Sequence, residues 1–341
     1  EGMQCFQKEE GWATCKASCP ADAPDLTDVS PKKWACKPLG GRTPGPIPKA
    51  STNYAAPAWA KDHCSGKGAD CSKTRCCQDA GMQCYQKNEY YGVCAAYCNP
   101  DDGWSCQEWG MRTPKPWGKP SLYCFAVLRS FGYEPELMEE QMARGAGIFA
   151  CDGYDVACSS PLKLGNHIKP IKFEDATVGI SVDKTAANTQ LFLNVWESIK
   201  NEGRYAEFDW TVKADPDCVI IPDRVRTHLR PHTGKNAYIV NCDKPQMIPM
   251  MFGSLETFTK QAIQTFFDNV QRCKNELQWQ NWGEDFFMGK CLDKIGVSAV
   301  DDFKIISDGV CKQADCNDKS AAAYHPMKSK KTWVECYSQA L

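Results

Sequence analysis

From residue 122 onward, apolar and polar positions alternate between a two-residue and a three-to-four-residue rhythm, the texture of an α/β domain. Leu191, Phe192, Val195, Trp196 and Ile199 share one helical face, so 186–202 reads as an amphipathic helix. Residues 208–213 read as a strand that delivers the turn Ala214-Asp215-Pro216-Asp217. Pro222 suits the first turn of a short helix ending at Leu229, and 237–241 is strand-like. Ser254 is placed as the N-cap of a helix through Val270, and 285–295 reads as a further amphipathic helix. Residues 147–152 read as a short buried strand ending in an acid.

The first part of the chain has a different texture, because it repeats. Gly2-Met3-Gln4-Cys5-Phe6-Gln7-Lys8 recurs as Gly81-Met82-Gln83-Cys84-Tyr85-Gln86-Lys87, and Cys5, Cys15 and Cys19 match Cys84, Cys94 and Cys98 in spacing. A second shared pattern, W-x-C-x3-G-x-R-T-P, starts at Trp34 and again at Trp104. The second copy also holds Cys64, Cys71, Cys76 and Cys77, so the first copy is expected to be shortened on its N-terminal side. The divisions that follow are a truncated cysteine-rich module at 1–39, a Pro/Gly/Ala linker at 40–62, a second module at 63–112, a short linker at 113–120 and the α/β domain at 121–341.

Composition narrows the setting. A chain of 341 residues with 22 Cys is long enough for several domains and too rich in thiols for a reducing cytosol. Zinc is the rival use of dense cysteines, but paired C-x-x-C knuckles are absent, which leaves disulfides as the better reading. With 40 basic and 42 acidic residues the formal charge is -2, which provides no footprint for nucleic acid or an anionic membrane. No apolar run approaches the ~20 residues of a membrane-spanning helix, so no membrane contact is expected within this chain. Glu1 at the start reads as the end of a processed or truncated chain. The expected location is the secretory pathway, in the Golgi lumen, or the extracellular space.

The most chemically loaded feature is Asp215-Pro216-Asp217 at the end of a strand. Two carboxylates one residue apart can share a hard divalent cation, which in turn can neutralise a diphosphate. Taken alone, the same triplet is ordinary turn chemistry. The run from Asp209 to Pro222 resembles the metal-binding strand and turn of the fringe and beta-3-galactosyltransferase-like GT-A enzymes, patterned K-x-D-D-D-x-hydrophobic, with Pro216 replacing the middle acid. Phe252-Gly253-Ser254 resembles that family's acceptor-side glycine turn. Trp282-Gly283-Glu284-Asp285-Phe286-Phe287-Met288-Gly289-Lys290-Cys291-Leu292 resembles its E-D-hydrophobic-x-x-G-x-C-L motif. The whole segment also looks like an algal and protist family of GT-A-like proteins attached to cysteine-rich repeats.

The resemblance implies a Rossmann-like mixed sheet of the GT-A α/β class behind small disulfide-rich modules with little regular structure. It implies Asp285 as the base for the acceptor hydroxyl, with Gly253 and Glu284 on the acceptor side. It also implies His325, in Tyr324-His325-Pro326, as a third ligand beside Asp215 and Asp217 for Mn2+ or Mg2+, with a UDP-sugar as donor. Against these stand plainer roles: Glu284 and Asp285 as first-turn acids favoured by the helix dipole, and His325 as a surface residue fixed by Pro326. Asp152 is read either as a donor contact or as a turn cap. Lys213 and Arg224 are cations available to screen a diphosphate, and His228 and His232 are read as residues of a helix end.

In the second module, the stretch from Cys84 to Cys94 resembles small fungal cellulose-binding modules, which present aromatic rings to glucose faces. The candidate rings are Tyr85, Tyr90, Tyr91 and Trp104, with Trp12 and Trp34 in the first copy. The alternative is that these rings cover disulfides in modules that have little core. Disulfide connectivity stays open, although Cys311 and Cys316 are close enough for a small loop.

The leading reading is an inverting, metal-dependent glycosyltransferase acting on a polysaccharide or glycoprotein acceptor. The second is a secreted wall, matrix or filament component that keeps the fold without catalysis and assembles into extracellular structures. A glycoside hydrolase is the third, and it would need two carboxylates ~5 to 9 Å apart across a sugar cleft.

Overall fold

The computed structural model describes residues 1–47, 53–162, 164, 169–181, 186–244, 248–311 and 313–341. Part of the expected linker, 48–52, lies outside them. The chain divides into two compact units, Glu1–Trp117 and Gly118–Leu341.

The first unit holds two three-stranded antiparallel sheets of the same design. One comprises β1 (Gln4–Glu9), β2 (Trp12–Lys16) and β3 (Lys37–Pro38) in the order β2-β1-β3. After the short helix α1 (Ala60–His63), the other comprises β4 (Gln83–Asn88), β5 (Tyr91–Ala95) and β6 (Glu108–Trp109) in the order β5-β4-β6. Cys5 faces Cys15 across the first hairpin as Cys84 faces Cys94 across the second, so the sequence repeat is a structural one. Cystine takes the place of an apolar core: Cys64–Cys76, Cys71–Cys84, Cys77–Cys94 and Cys98–Cys106 close the second copy, and Cys19–Cys36 the first. Closing loops this short restricts the unfolded chain, worth about 2–4 kcal/mol per bridge.

The second unit runs β7 (Leu122–Leu128), α2 (Glu134–Arg144), β8 (Gly153–Cys158), β9 (Gly179–Ile180), β10 (Ala186–Ala187), α3 (Thr189–Glu202), β11 (Trp210–Ala214), β12 (Val219–Ile220) and α4 (Pro222–Leu229). It continues through β13 (Ala237–Val240), β14 (Leu255–Thr259), α5 (Lys260–Glu276), α6 (Glu284–Lys294), β15 (Ser298–Asp301), β16 (Ile306–Asp308), β17 (Ala323–His325) and α7 (Lys330–Ala340). Its main sheet has the order β15-β13-β14-β11-β7-β8 and is mixed: β11, β7 and β8 run parallel, while β14 is antiparallel to both β11 and β13. The central strands are buried at every position but Val127, which is half-buried, as a sheet covered on both faces requires. Trp196 of α3 packs edge-on against Phe125 at 5.0 Å and Phe258 at 5.5 Å, fixing that helix over the sheet.

Three local expectations are corrected. Ser254 caps nothing: 255–259 form β14, and Thr259, whose side chain accepts from the Ala262 amide, is the N-cap of α5. The β-branched and aromatic run Leu255–Thr259 wins as a strand because β11 and β13 flank it. The expected strand at 147–152 is a 3-10 turn, Gly147–Ala150, whose following Cys151 bonds Cys124 of β7. Cys311 and Cys316 do not join each other, since Cys311 pairs with Cys242 and Cys316 with Cys336. Cys273–Cys291 ties α5 to α6, and Cys158 and Cys218 remain free and buried.

Candidate active site

The site lies where the main sheet meets a smaller one, β12-β17-β16. Strand β11 ends at Ala214, and the chain turns through Asp215-Pro216-Asp217 into β12. The turn is held by the Asp215 amide on the Ser254 carbonyl (3.1 Å), the Cys218 amide on the Asp215 carbonyl (2.9 Å) and the Gln141 side chain on the Pro216 carbonyl (2.8 Å). Proline removes a donor that the turn has no use for.

The turn sets Asp215 and Asp217 beside His325, with one potential ligand atom from each residue within 4.8 Å of the others. His325 comes from the end of β17, where parallel pairing places it opposite Asp308 of β16. Its Nδ1 is 2.8 Å from Asp308 Oδ2, and its Nε2 is 3.5 Å from Asp217 Oδ1. Asp308, fully buried, also accepts from Ser254 Oγ at 2.6 Å and the Val310 amide at 2.7 Å. A carboxylate that fixes one imidazole nitrogen so that the other faces a donor cluster is a recurrent support for metal ligands.

The charges follow from this packing. Burial opposes a charged imidazole at His325, but its hydrogen bonds to Asp217 and Asp308 outweigh that and push it up to about 9. The same bonds hold Asp217 and Asp308 below the usual carboxylate range despite burial. Asp215 is pushed up by enclosure, against the pull of Lys213. Two carboxylates and an imidazole suit a divalent cation that takes oxygen and nitrogen, as manganese and magnesium do.

Asp215 and His325 line a cavity of about 790 Å³ that also exposes Asp285, Gly253, Trp282 and Phe286. Asp285 opens α6. Its Oδ2 accepts from the Gly253 amide at 3.0 Å, and its Oδ1 from the Phe286 amide at 2.7 Å. Enclosure, and then the charge of Glu284, push its carboxyl up to about 6. Glycine at 253 eases this approach, since a Cβ there would stand 3.3 Å from Asp285 Oδ2, a tight contact that the side chain would have to yield to by a few tenths of an ångström. One wall is apolar, with the Trp282 and Phe286 rings edge-to-face at 4.8 Å.

No protein-family model matches the chain. Among solved structures, the crystal structure of a glycosyltransferase involved in the glycosylation of the major capsid of PBCV-1 is similar to it. The identity is 14%, over 54% of this chain and 82% of that one, and the TM-score is 0.35. A likeness that distant carries no argument, so the functional reading rests on the site itself.

The other sequence candidates are placed differently. Glu284 is buried at the back of the cavity, where it accepts from Trp196 Nε1 at 3.2 Å and lies 3.5 Å from Lys213, so its carboxylate is used internally. Lys213 also lines the cavity. It is buried in β11 against its cross-strand neighbour Glu256 at 2.7 Å, and although burial opposes its charge, Glu256, Glu284 and Asp215 hold it well above the ordinary lysine range. Arg224 is taken by the Tyr324 hydroxyl and the Ala340 carbonyl. Asp152 does not reach the cavity. Its carboxylate pairs with Arg226 at 2.8 Å and accepts from the Gly118 and Leu122 amides, which makes it the cap of the β7 entry.

In the modules, Tyr90, Tyr91 and Trp12 are exposed, Trp104 is half-buried against Cys98–Cys106, and Tyr85 and Trp34 are buried. The last two are corrections: Trp34 donates to Asp28 inside the first copy, and the Tyr85 hydroxyl accepts from Arg112, so neither ring faces outward. Asp308 was missed because Ser307-Asp308-Gly309 reads as a turn, and no spacing ties it to His325.

Proposed function

We propose that the second unit is a metal-dependent, inverting glycosyltransferase that moves a sugar from a UDP-sugar to a glycan or glycoprotein hydroxyl. The observation that carries this reading is the cluster of Asp215, Asp217 and His325, of which Asp215 and His325 line the same cavity as Asp285. Asp215, Asp217 and His325 would hold a manganese or magnesium ion, which supplies positive charge against a diphosphate leaving group. Asp285, with a carboxyl tuned to about 6, is ionised at neutral pH and takes the proton of the attacking hydroxyl. The Trp282 and Phe286 rings give the cavity an apolar wall beside Asp285.

The first unit, in this reading, holds the enzyme on polymeric acceptor through Tyr90, Tyr91 and Trp12 and raises the local acceptor concentration. Nine disulfides fit folding in an oxidising compartment, the Golgi lumen or the extracellular space. Among the described residues no helix is long and apolar enough to cross a membrane. A matrix protein without catalysis has no need for an open cavity or for a histidine turned toward two aspartates.

The experiment is UDP release from a panel of UDP-hexoses, with manganese and oligosaccharide acceptors, by the whole chain and by Asp285→Asn. Acceptor-dependent release that falls in the variant supports the reading. If a folded chain releases nothing under any combination, the matrix-protein reading takes its place.

A further inference from the structure

Helix α6 divides into two faces. Phe287, Met288, Cys291 and Leu292 are buried, and Cys291 is bonded to Cys273 of α5, so this side packs inward. Asp285, Phe286, Gly289, Lys290 and Asp293 line the cavity on the other side. At 3.6 residues per turn, Asp285, Gly289 and Asp293 stand in one row, with Phe286 and Lys290 in the next. From Asp285 to Asp293 the row runs roughly 12 Å, more than a single sugar ring spans.

Gly289 is the odd member of this face. Glycine is the poorest helix former after proline, so one in a helix interior calls for a structural reason. The usual reasons fail here. Gly145 and Gly203 end α2 and α3 in the left-handed region, but Gly289 is not left-handed and α6 runs on past it to Lys294. A Cβ at Gly289 would meet no atom within 4 Å, whereas one at Gly253, in the same cavity, would stand 3.3 Å from Asp285 Oδ2. The space left by the missing side chain serves no group among the described residues.

What borders that space suits a sugar ring. The Phe286 ring is exposed and meets Trp282 edge-to-face at 4.8 Å, offering apolar area to the C–H face of a pyranose. Lys290 Nζ lies 5.5 Å from the centre of the Phe286 ring and makes no ion pair among the described residues, which leaves its donors for hydroxyls. Asp293 Oδ1 accepts from the Tyr238 hydroxyl at 2.7 Å, and Oδ2 remains as an acceptor. We propose that this face of α6, floored by Gly289, is a second acceptor subsite, holding the sugar next to the one whose hydroxyl Asp285 deprotonates. The acceptor class is then a glycan of two or more sugars laid along α6, and not a free monosaccharide. The assignment rests on the reading of Asp285 as the base.

The test compares wild type, Gly289→Ala and Gly289→Leu as whole chains with UDP-hexoses and manganese. Acceptors are β-linked trisaccharides of glucose, galactose and N-acetylglucosamine, each beside its monosaccharide. In wild type, kcat/KM for the trisaccharide that is used should exceed that of its monosaccharide by roughly tenfold or more, and Gly289→Leu should bring the ratio to about one. Both variants should melt no lower than wild type, because a helical φ and open space accept a side chain. Hydrogen exchange in Glu284–Lys294 needs no turnover: a trisaccharide should slow it in wild type and not in Gly289→Leu. Slowed exchange without sugar transfer would keep the subsite and remove the transferase reading. Transfer with no length preference, a preference equal in Gly289→Leu, or exchange unmoved by every trisaccharide would overturn the proposal. So would a lower Tm for Gly289→Ala, which would make the glycine structural, or loss of UDP and manganese binding in Gly289→Leu, which would give the floor to the donor.

Discussion

Replacing Asp308 by Asn isolates the support behind His325 without touching any of the three ligand candidates. Asp308 offers two acceptor oxygens to three donors: Oδ2 to His325 Nδ1 at 2.8 Å and Ser254 Oγ at 2.6 Å, and Oδ1 to the Val310 amide at 2.7 Å. An amide supplies one acceptor oxygen, so either the Val310 amide or the His325 and Ser254 pair then faces an NH2 group. The imidazole loses its negative partner and its fixed orientation toward Asp217. Losing such a partner typically costs 10–100-fold in metal affinity, about 1.4–2.7 kcal/mol. Manganese binding followed by calorimetry, at a temperature where circular dichroism shows both proteins folded, should therefore weaken by about that factor. An affinity within about twofold of wild type, on a folded variant, would refute the idea that Asp308 positions the ligand.

Acceptor-dependent activity should rise with pH through about 6, as Asp285 loses its proton, and then level off; a profile flat from 5 to 8 would remove Asp285 as base. Gly253→Ala should lower kcat on the order of tenfold, because the new Cβ presses Asp285 from 3.3 Å, while manganese and UDP binding stay unchanged. The bond between His228 Nδ1 and Asp302 at 2.7 Å raises the histidine's pKa and, despite burial, lowers the aspartate's. The stability it gives is full below the unfolded histidine pKa of about 6.5, is lost as pH rises through the raised folded value, and is lost again in acid as Asp302 protonates. The drop in Tm for His228→Ala should accordingly be larger at pH 6 than at pH 9, and equal drops would refute the pairing.

Much of the second unit was legible because its pattern and its chemistry agree. Val195, Trp196 and Ile199 of the expected face are buried in α3, while Leu191 and Phe192 are only half-buried and Leu193, not expected, is buried; β11 delivers its acidic turn where the apolar run ends. What failed was local reading that tertiary pairing overrides. Ser254 looked like a cap, yet its hydroxyl serves Asp308 while the next five residues join the sheet. Asp308 and Glu256 carried no sequence signal, because their partners, His325 and Lys213, are reached through strand register. The module aromatics divided on packing: a flat aromatic display would need Tyr85 outward, but cross-strand alternation and Arg112 turn it in.

The most direct test of the central claim is a thermal-shift titration of the whole chain with manganese and UDP, separately and together, on wild type and Asp217→Ala. A ligand pair at about 100 times its dissociation constant stabilises by about 2.7 kcal/mol, which for a unit of this size is on the order of 5–10 °C in Tm. The account predicts a shift of that order from the two together, far larger than from either alone, and its loss in Asp217→Ala. No shift in wild type, or an equal shift in both proteins, would contradict a donor site at Asp215, Asp217 and His325.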